Sequence, residues 1–448
     1  MGTVVAKPVK PGATDSQAPL LAAGFAVSLK LAGSIARIAQ RKYSVYTSPV
    51  QAQERTNSGR NSVISIGMNR RLAVAAVAIF TAAAAQTTVQ AQEIKIGVSV
   101  ALTGPAAALG IPIKNSLALM PDTIGGVPVK YTLLDDAGDP TNATTNARRF
   151  VSEDKVDAIF GSSNTPPTLA ISAVAAEGNV PQFGMGPIPI LPGREKWTVI
   201  MPQPVGLMAK ALFDHMKAHG VKSVGVIGFS DSWGDLWVKA FKDIAEPMGL
   251  QLAADERYAR ADTSVAGQTL KLIAAKPDAV LVAGSGTGAA LPQVALKERG
   301  FSGLIYQTHG AVTKDFIRIA GAAAEGVIMA SGPVMSPETQ PDSSPTKAPG
   351  LAYVKAYEAK YGADTRTQFG AHLNDAVKIM ERIVPVALKT AKPGTQEFRE
   401  ALRLALLSEK DIAASQGIYN FTEKDRYGVD DRARILLTVK NGNFELIK

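Results

Sequence analysis

Residues 157–183 read DAIFGSSNTPPTLAISAVAAEGNVPQF. Ala158, Ile159 and Phe160 form a short β-rich run, which stops at Gly161 and passes into four small polar residues, Ser162, Ser163, Asn164 and Thr165. An alanine-rich helical pattern follows through Ala176, and a second β-rich run occupies 180–183. Strand, small-residue loop, helix, strand is the unit from which parallel α/β sheets are built. Hydroxyls and amides at the start of such a helix can hold a carboxylate, and the same residue types serve equally well as ordinary helix caps. The loop alone leaves both uses open.

The unit repeats in both directions. Upstream, strands are expected over 93–100 and 129–134, with a Gly/Pro loop over 102–110 and a polar-faced helix over 141–153. Downstream, helices are expected over 207–219, 235–248 and 288–299, and strands over 223–229, 279–283, 303–306 and 327–330. A Pro/Ser-rich segment over 336–350 has neither period, and three helices follow over 351–361, 369–389 and 395–407. The chain closes with a hairpin, 433–439 and 444–447, turned by Asn441-Gly442. Two α/β sets joined by breaker-rich segments predict two lobes with a cleft between them, and ligands in such folds sit beyond the carboxyl ends of the strands.

The N-terminal part has another character. Residues 68–91 run from Arg70 and Arg71 through an uncharged alanine-rich stretch to Val89-Gln90-Ala91, the three-part plan of a secretory signal peptide. Its apolar run is shorter than the ~20 residues needed to span a bilayer. Residues 1–67 are expected to be an over-long N-terminal extension outside the folded protein, with translation starting at Met68 and the exported chain at Gln92. Of the 48 basic residues ten lie before residue 72, against two of the 39 acidic ones, so most of the formal charge of +9 lies there. The exported part is close to neutral, which removes the electrostatic argument for nucleic acid or an anionic membrane as partner. It contains no long charge-free apolar run, and no membrane-embedded mature protein is expected.

Chemistry is sparse. The absence of cysteine excludes disulfides, thiolate catalysis and Cys-type zinc sites. Gly284-Ser285-Gly286-Thr287-Gly288-Ala289 follows a strand and opens a helix, as in dinucleotide-binding turns. The next strand, however, ends at Tyr306-Gln307 without the acid that would hold a ribose, so no cofactor is expected. His215 and His219 share a helix face but lack the glutamate of HExxH and a third ligand, so no metal is expected. Asp135 and Asp136 are neighbours on a strand and point to opposite faces, which suits a turn rather than an acid/base dyad. No GxSxG elbow or Walker A loop is present. A non-enzymatic role is expected. The rivals are an enzyme on the same architecture, suggested only by the glycine loop, and a ligand-sensing module for a membrane receptor.

Four segments carry a resemblance: EIKIGVSVALTGPAAALG (93–110), DDAGDPTNATTNARRFVSEDKVDAIFGSSNTPPTLAISAVAAEGNVP (135–181), VGVIGFSDSWG (224–234) and FGAHLNDAVKIM (369–380). Taken together and in order, they resemble the branched-chain amino-acid-type periplasmic solute-binding proteins of ABC transporters, the type I, Leu/Ile/Val-binding-like group. The resemblance implies an α/β fold of two Rossmann-like lobes with parallel central sheets, joined by three crossovers near 201–204, 330–334 and 416–421. It implies lobe 1 from 92–203 and 332–418, and lobe 2 from 204–331 and 419–448. It also implies a periplasmic receptor that closes on a small carboxylate-bearing solute, a branched-chain amino acid or a related apolar acid, and delivers it to permease subunits.

By the same resemblance the ligand meets Leu109, Ser163, Asn164, Thr165, Met185 and Gly186 on lobe 1. On lobe 2 it meets Trp233, Ser285, Gly286 and His309. Amino-acid-binding members commonly place an acid near the position of His309, to pair with an ammonium group. Leu109, Met185, Pro187 and Trp233 would make walls suited to a branched aliphatic or aromatic acid; branched-chain amino acids are what the resemblance implies, and the missing acid makes aromatic or keto acids the alternative.

Overall fold

The computed structural model describes residues 92–448; the expected extension (1–67) and signal segment (68–91) lie outside the described residues. Two mostly parallel sheets dominate. The first has the spatial order Thr123–Ile124, Val127–Asp135, Ile94–Val100, Ala158–Gly161, Gln182–Gly184, Thr198–Ile200. The second runs Asn443–Leu446, Ile435–Lys440, Ile328–Ser331, Leu304–Gln307, Ala279–Ala283, Ser223–Phe229, Gln251–Tyr258. Antiparallel pairing is confined to one border of each: Thr123–Ile124 in the first, and in the second the C-terminal hairpin, which pairs with Ile328–Ser331.

The central strands are covered on both faces, so even small or polar residues between their apolar ones, such as Gly97 and Ser99, are buried. Ile94, Ile96, Val98 and Val100 are all fully buried, as is every residue of Ala279–Ala283. The expected polar-faced helix forms as Pro140–Arg149, capped by Asp139, and continues as a wide turn, Phe150–Asp154. That turn lays the Phe150 ring directly over Gly97, where a β-carbon would lie 2.5 Å from the ring.

Several elements were not legible in the sequence. The segment 102–110, expected as a loop, already contains the start of the helix Ala107–Leu117, which carries Pro112 internally. Gln251–Tyr258 is a strand despite the acids and arginine at 255–257, because it is the border of its sheet, where polar side chains reach solvent. The helix Ala266–Ala274 and the three-residue strand Thr198–Ile200 were also unforeseen. The helix Lys347–Tyr361 begins inside the segment expected to be irregular.

The segment 201–204 leaves the first sheet at Ile200 and enters the helix Val205–Ala218, whose buried face belongs to the core of the second lobe. Residues 419–428, expected in the second lobe, pack instead on the first. Tyr419 and Phe421 belong to its core. The Arg426 carbonyl accepts from Ile200 N at 2.9 Å while its Nε donates to Thr198 O at 2.9 Å, covering the open edge of that sheet. The chain reaches the second sheet only at Ile435–Lys440.

A buried polar cluster lies where the connections meet. Asp375 is fully buried on the long helix Gln368–Ala387 and accepts from Ser415 N and Oγ, Gln416 N and Tyr419 Oη. Tyr419 Oη also reaches Met201 O at 3.0 Å, and Gln368 Oε1 accepts from Gly332 N at 3.3 Å. Gly332 and Tyr419 are thus tied directly to the same helix, and Met201 is tied to it through Tyr419. Burial raises the Asp375 carboxyl above the usual aspartate range, against the pull of the hydrogen bonds it accepts.

Candidate functional site

A pocket lies in the cleft between the lobes, at the carboxyl ends of the strands of both sheets. On the first lobe it is lined by Leu109, from the helix Ala107–Leu117, by Ser163, Asn164 and Thr165, and by Met185 and Pro187. These follow the first-sheet strands as the sheet's carboxyl ends require. Thr165 Oγ1 donates to Pro187 O at 2.7 Å, joining the two loops, and Ser163 Oγ accepts from Ala101 N at 3.2 Å. Asn164 occupies the cap position of the helix Thr165–Gly178 but makes no side-chain cap hydrogen bond, and its buried Oδ1 has no partner among the described residues. Capping is therefore not what its side chain does here.

The same helix bears on the expected carboxylate cradle. Pro166 and Pro167 occupy its first turn and carry no N–H, so Thr165 is the only one of its first three residues with an amide to offer. Helix-start amides contribute less than the loop's residue types suggested. The cation of the cleft comes from the second lobe. Arg260 lines it, pairs with Asp231 through Nε at 2.6 Å, donates from Nη1 to Ser285 Oγ at 3.0 Å, and keeps a buried Nη2 without a partner among the described residues. Arg260 follows the strand Gln251–Tyr258. Because that strand was not recognised in the sequence, the loop beyond it was not searched.

Trp233, Ser285 and His309 complete the second-lobe wall, as expected. The Trp233 indole is 3 % exposed; its Nε1 donates to Gly284 O at 3.0 Å, and its ring centre lies 5.2 Å from that of His309. Pro202, Phe369 and His372 close the end nearest the connecting segments, and none of these three was singled out in the sequence. Phe369 and His372 stand in the FGAHLNDAVKIM segment, on a helix whose periodicity marks a buried face without distinguishing core from cleft.

Gly186 and Gly286 do not line the cleft; they allow its walls to approach. A β-carbon at Gly186 would lie 2.6 Å from the Asn164 carbonyl carbon, so only glycine lets the two first-lobe loops nest. Gly286 has φ +55°, a conformation that favours glycine, and a β-carbon there would lie in ordinary contact, 3.6 Å from Leu109 Cδ2 of the opposite lobe. The glycine pattern at 284–288 is thus used for packing: a β-carbon at Gly284 would collide with the Tyr258 hydroxyl at 2.5 Å.

The electrostatics of the site are unusual in one respect. No acidic side chain lines it. Burial lowers the pKa of His309 to about 3, and that of His372 also to about 3, with the neighbouring His309 as a lesser cause, so both rings are neutral at ordinary pH. His215 and His219, by contrast, are absorbed locally: their rings stack at 3.9 Å, His219 Nδ1 pairs with His215 O at 2.8 Å, and His215 Nδ1 with Tyr306 Oη at 3.0 Å. Asp135 and Asp136 bind backbone amides of the turn that follows them, as their placement predicted. Among the described residues no group of three or more potential ligands could hold a metal, and no helix is long and apolar enough to cross a membrane.

Comparison with known proteins agrees with this architecture. A family model described as periplasmic binding protein matches residues 93–431. The chain is 27 % identical over 326 residues to a Leu/Ile/Val-binding protein homolog 8 of Brucella abortus, covering 69 % of this chain and 78 % of that one. Among solved structures, an extracellular ligand-binding receptor from Rhodopseudomonas palustris HaA2 is 64 % identical, with a TM-score of 0.79 over 80 % of this chain and all of that one. A leucine-binding protein from Thermotoga maritima shares the fold at 22 % identity, with a TM-score of 0.68 over 79 % of this chain and 98 % of its own. Two parallel-sheet lobes, three connections and a cleft between them are therefore the marks of its kind: the chain belongs to the periplasmic binding protein family, in its type I, branched-chain amino-acid-type group.

Proposed function

We propose that the protein is the periplasmic receptor of an ABC importer and binds a small carboxylate-bearing solute with an apolar body, delivering it to permease subunits. A ligand that touches both lobes only when they close shifts the population toward the closed form by its differential affinity for that form. Membership of a family of solute-binding proteins supports a non-enzymatic, extracytoplasmic role. The signal-like segment at 68–91 supports export, and a mature chain beginning at Gln92 or a close neighbour is the corresponding expectation for N-terminal sequencing of the secreted protein.

The observation that carries the ligand reading is the lining of the cleft: apolar and aromatic walls, one arginine with an unpartnered Nη2, and no carboxylate. An amino acid would leave its ammonium without a counter-charge, and a buried unpaired charge is strongly unfavourable. Aromatic or keto acids are therefore favoured over the branched-chain amino acids suggested by the Brucella relative's name.

A thermal-shift screen tests this by pairing leucine and phenylalanine with their α-keto counterparts, and adding benzoate and 3-phenylpropanoate. A ligand at 100 times its dissociation constant stabilises the folded state by about 2.7 kcal/mol. Shifts with the acids and not with the amino acids are expected. Shifts with the amino acids alone would refute the preference, and none with any of them would refute the carboxylate reading.

A further inference from the structure

His309 and His372 enter the cleft from opposite lobes. His309 stands just beyond the second-sheet strand Leu304–Gln307; His372 stands on the helix Gln368–Ala387, whose apolar face belongs to the first-lobe core. They are 2 % and 1 % exposed, and both line the cavity. Neither nitrogen of either ring has a hydrogen-bond partner among the described residues. Four buried ring nitrogens without partners, on two side chains that line one cavity, form an unfavourable arrangement unless a bound group satisfies them. Gln368, from the same helix as His372, donates to the His309 backbone carbonyl, so the two rings are tied at their base.

We propose that His309 and His372 form one polar subsite that reads an uncharged hydroxyl of the ligand from both lobes at once. The proposal rests on the acid-receptor reading above and adds a second recognition element to it. A neutral imidazole offers one N–H donor and one acceptor nitrogen. A hydroxyl likewise donates once and accepts, so it can donate to one ring and accept from the other. A carboxylate has no proton for the acceptor nitrogens, and Arg260, the one cation in the lining, suits it better. The neutrality of the rings, imposed by burial, removes the competing attraction of the ligand's charge. Because the rings belong to different lobes, a hydroxyl held by both can be satisfied only when the lobes are closed, which makes it a determinant of closure as well as of specificity.

Titration calorimetry with matched acids tests the subsite: benzoate against 3- and 4-hydroxybenzoate, 3-phenylpropanoate against 3-(4-hydroxyphenyl)propanoate, and 4-methylpentanoate against its 2-hydroxy derivative. In the wild type the hydroxylated member of at least one pair should bind about tenfold or more tighter, as expected where a site is built to hydrogen-bond a hydroxyl. His309→Leu and His372→Leu should each bring that ratio to within about threefold, with non-additive effects in the double variant. Affinity for the acid without the hydroxyl, measured on the same variants, separates any general effect of reshaping the cleft wall from loss of the hydroxyl contact, which the ratio within each pair reports.

Equal affinity within every pair in the wild type would overturn the proposal and leave the acid-receptor reading standing. So would an unchanged ratio in both variants. Failure of every acid to bind would overturn both. The comparison of ligands on the wild-type protein keeps the test decisive even if a variant does not fold.

Discussion

Replacing Trp233 by alanine removes the largest aromatic wall of the cleft, and the structure permits its effects on stability and binding to be separated. The indole is nearly buried, and truncation of a buried Trp to Ala destabilises by about 3–5 kcal/mol. Here the lower end applies, because one side of the ring faces the cleft rather than packed side chains. Nor does the substitution leave an orphan: Gly284 O, which accepts from the indole Nε1, also accepts from Thr308 Oγ1 at 2.7 Å. Trp233→Phe keeps an aromatic wall and should therefore destabilise by only about 1 kcal/mol. For binding, loss of a buried aromatic anchor at the centre of a site is worth about 2 kcal/mol or more, close to thirtyfold in affinity.

Urea denaturation and calorimetry with the acid giving the largest thermal shift would measure the two effects on the same preparations. Alanine should lose both stability and affinity, and phenylalanine mainly a few-fold of affinity. A folded alanine variant binding within about threefold of the wild type would refute the placement of the ligand against this ring.

Two other outcomes are expected. Gly186→Ala should push the Asn164 loop away, since the added carbon meets backbone rather than a movable side-chain tip; a destabilisation of about 1–3 kcal/mol with weakened binding is expected, and unchanged melting and affinity would contradict the close approach. For His372, whose pKa falls from 6.5 to about 3 on folding, the unfolded chain binds a proton between those values that the folded one does not. Keeping the ring neutral in the folded state costs nothing above pH 6.5 and costs progressively more stability as pH falls toward 3. The stability of the wild type relative to His372→Leu should accordingly fall by about 1.4 kcal/mol per pH unit between about pH 6 and 4. A difference that does not vary with pH would show that the ring is not buried neutral.

How much of this was legible depends on which interactions fix each feature. The strands at 158–161 and 279–283 were readable because both their faces are buried, which forces short apolar runs bounded by turns, and 94–100 because its apolar residues alternate with smaller or polar ones. Gln251–Tyr258 was not readable, since a border strand tolerates charged residues and gives no such run. Of the residues expected at the site, Leu109, Ser163, Asn164, Thr165, Met185, Trp233, Ser285 and His309 line the cleft, whereas Gly186 and Gly286 shape it from behind. Arg260 was missed with its strand. Phe369 and His372 were missed because they belong to a helix that reaches the cleft only through the chain's second crossing between lobes.

By itself the sequence determined the α/β alternation, the two-lobe plan and the loops at the strand ends, because these follow from local periodicity and from where small residues interrupt it. Only the tertiary structure decided which side chains meet across the cleft. His309 and His372 are 63 positions apart and belong to different lobes, and neither ring's neutrality nor its unpartnered nitrogens can be inferred from neighbours along the chain. Those properties arise from burial, which is set by what the two lobes place around the rings when they come together.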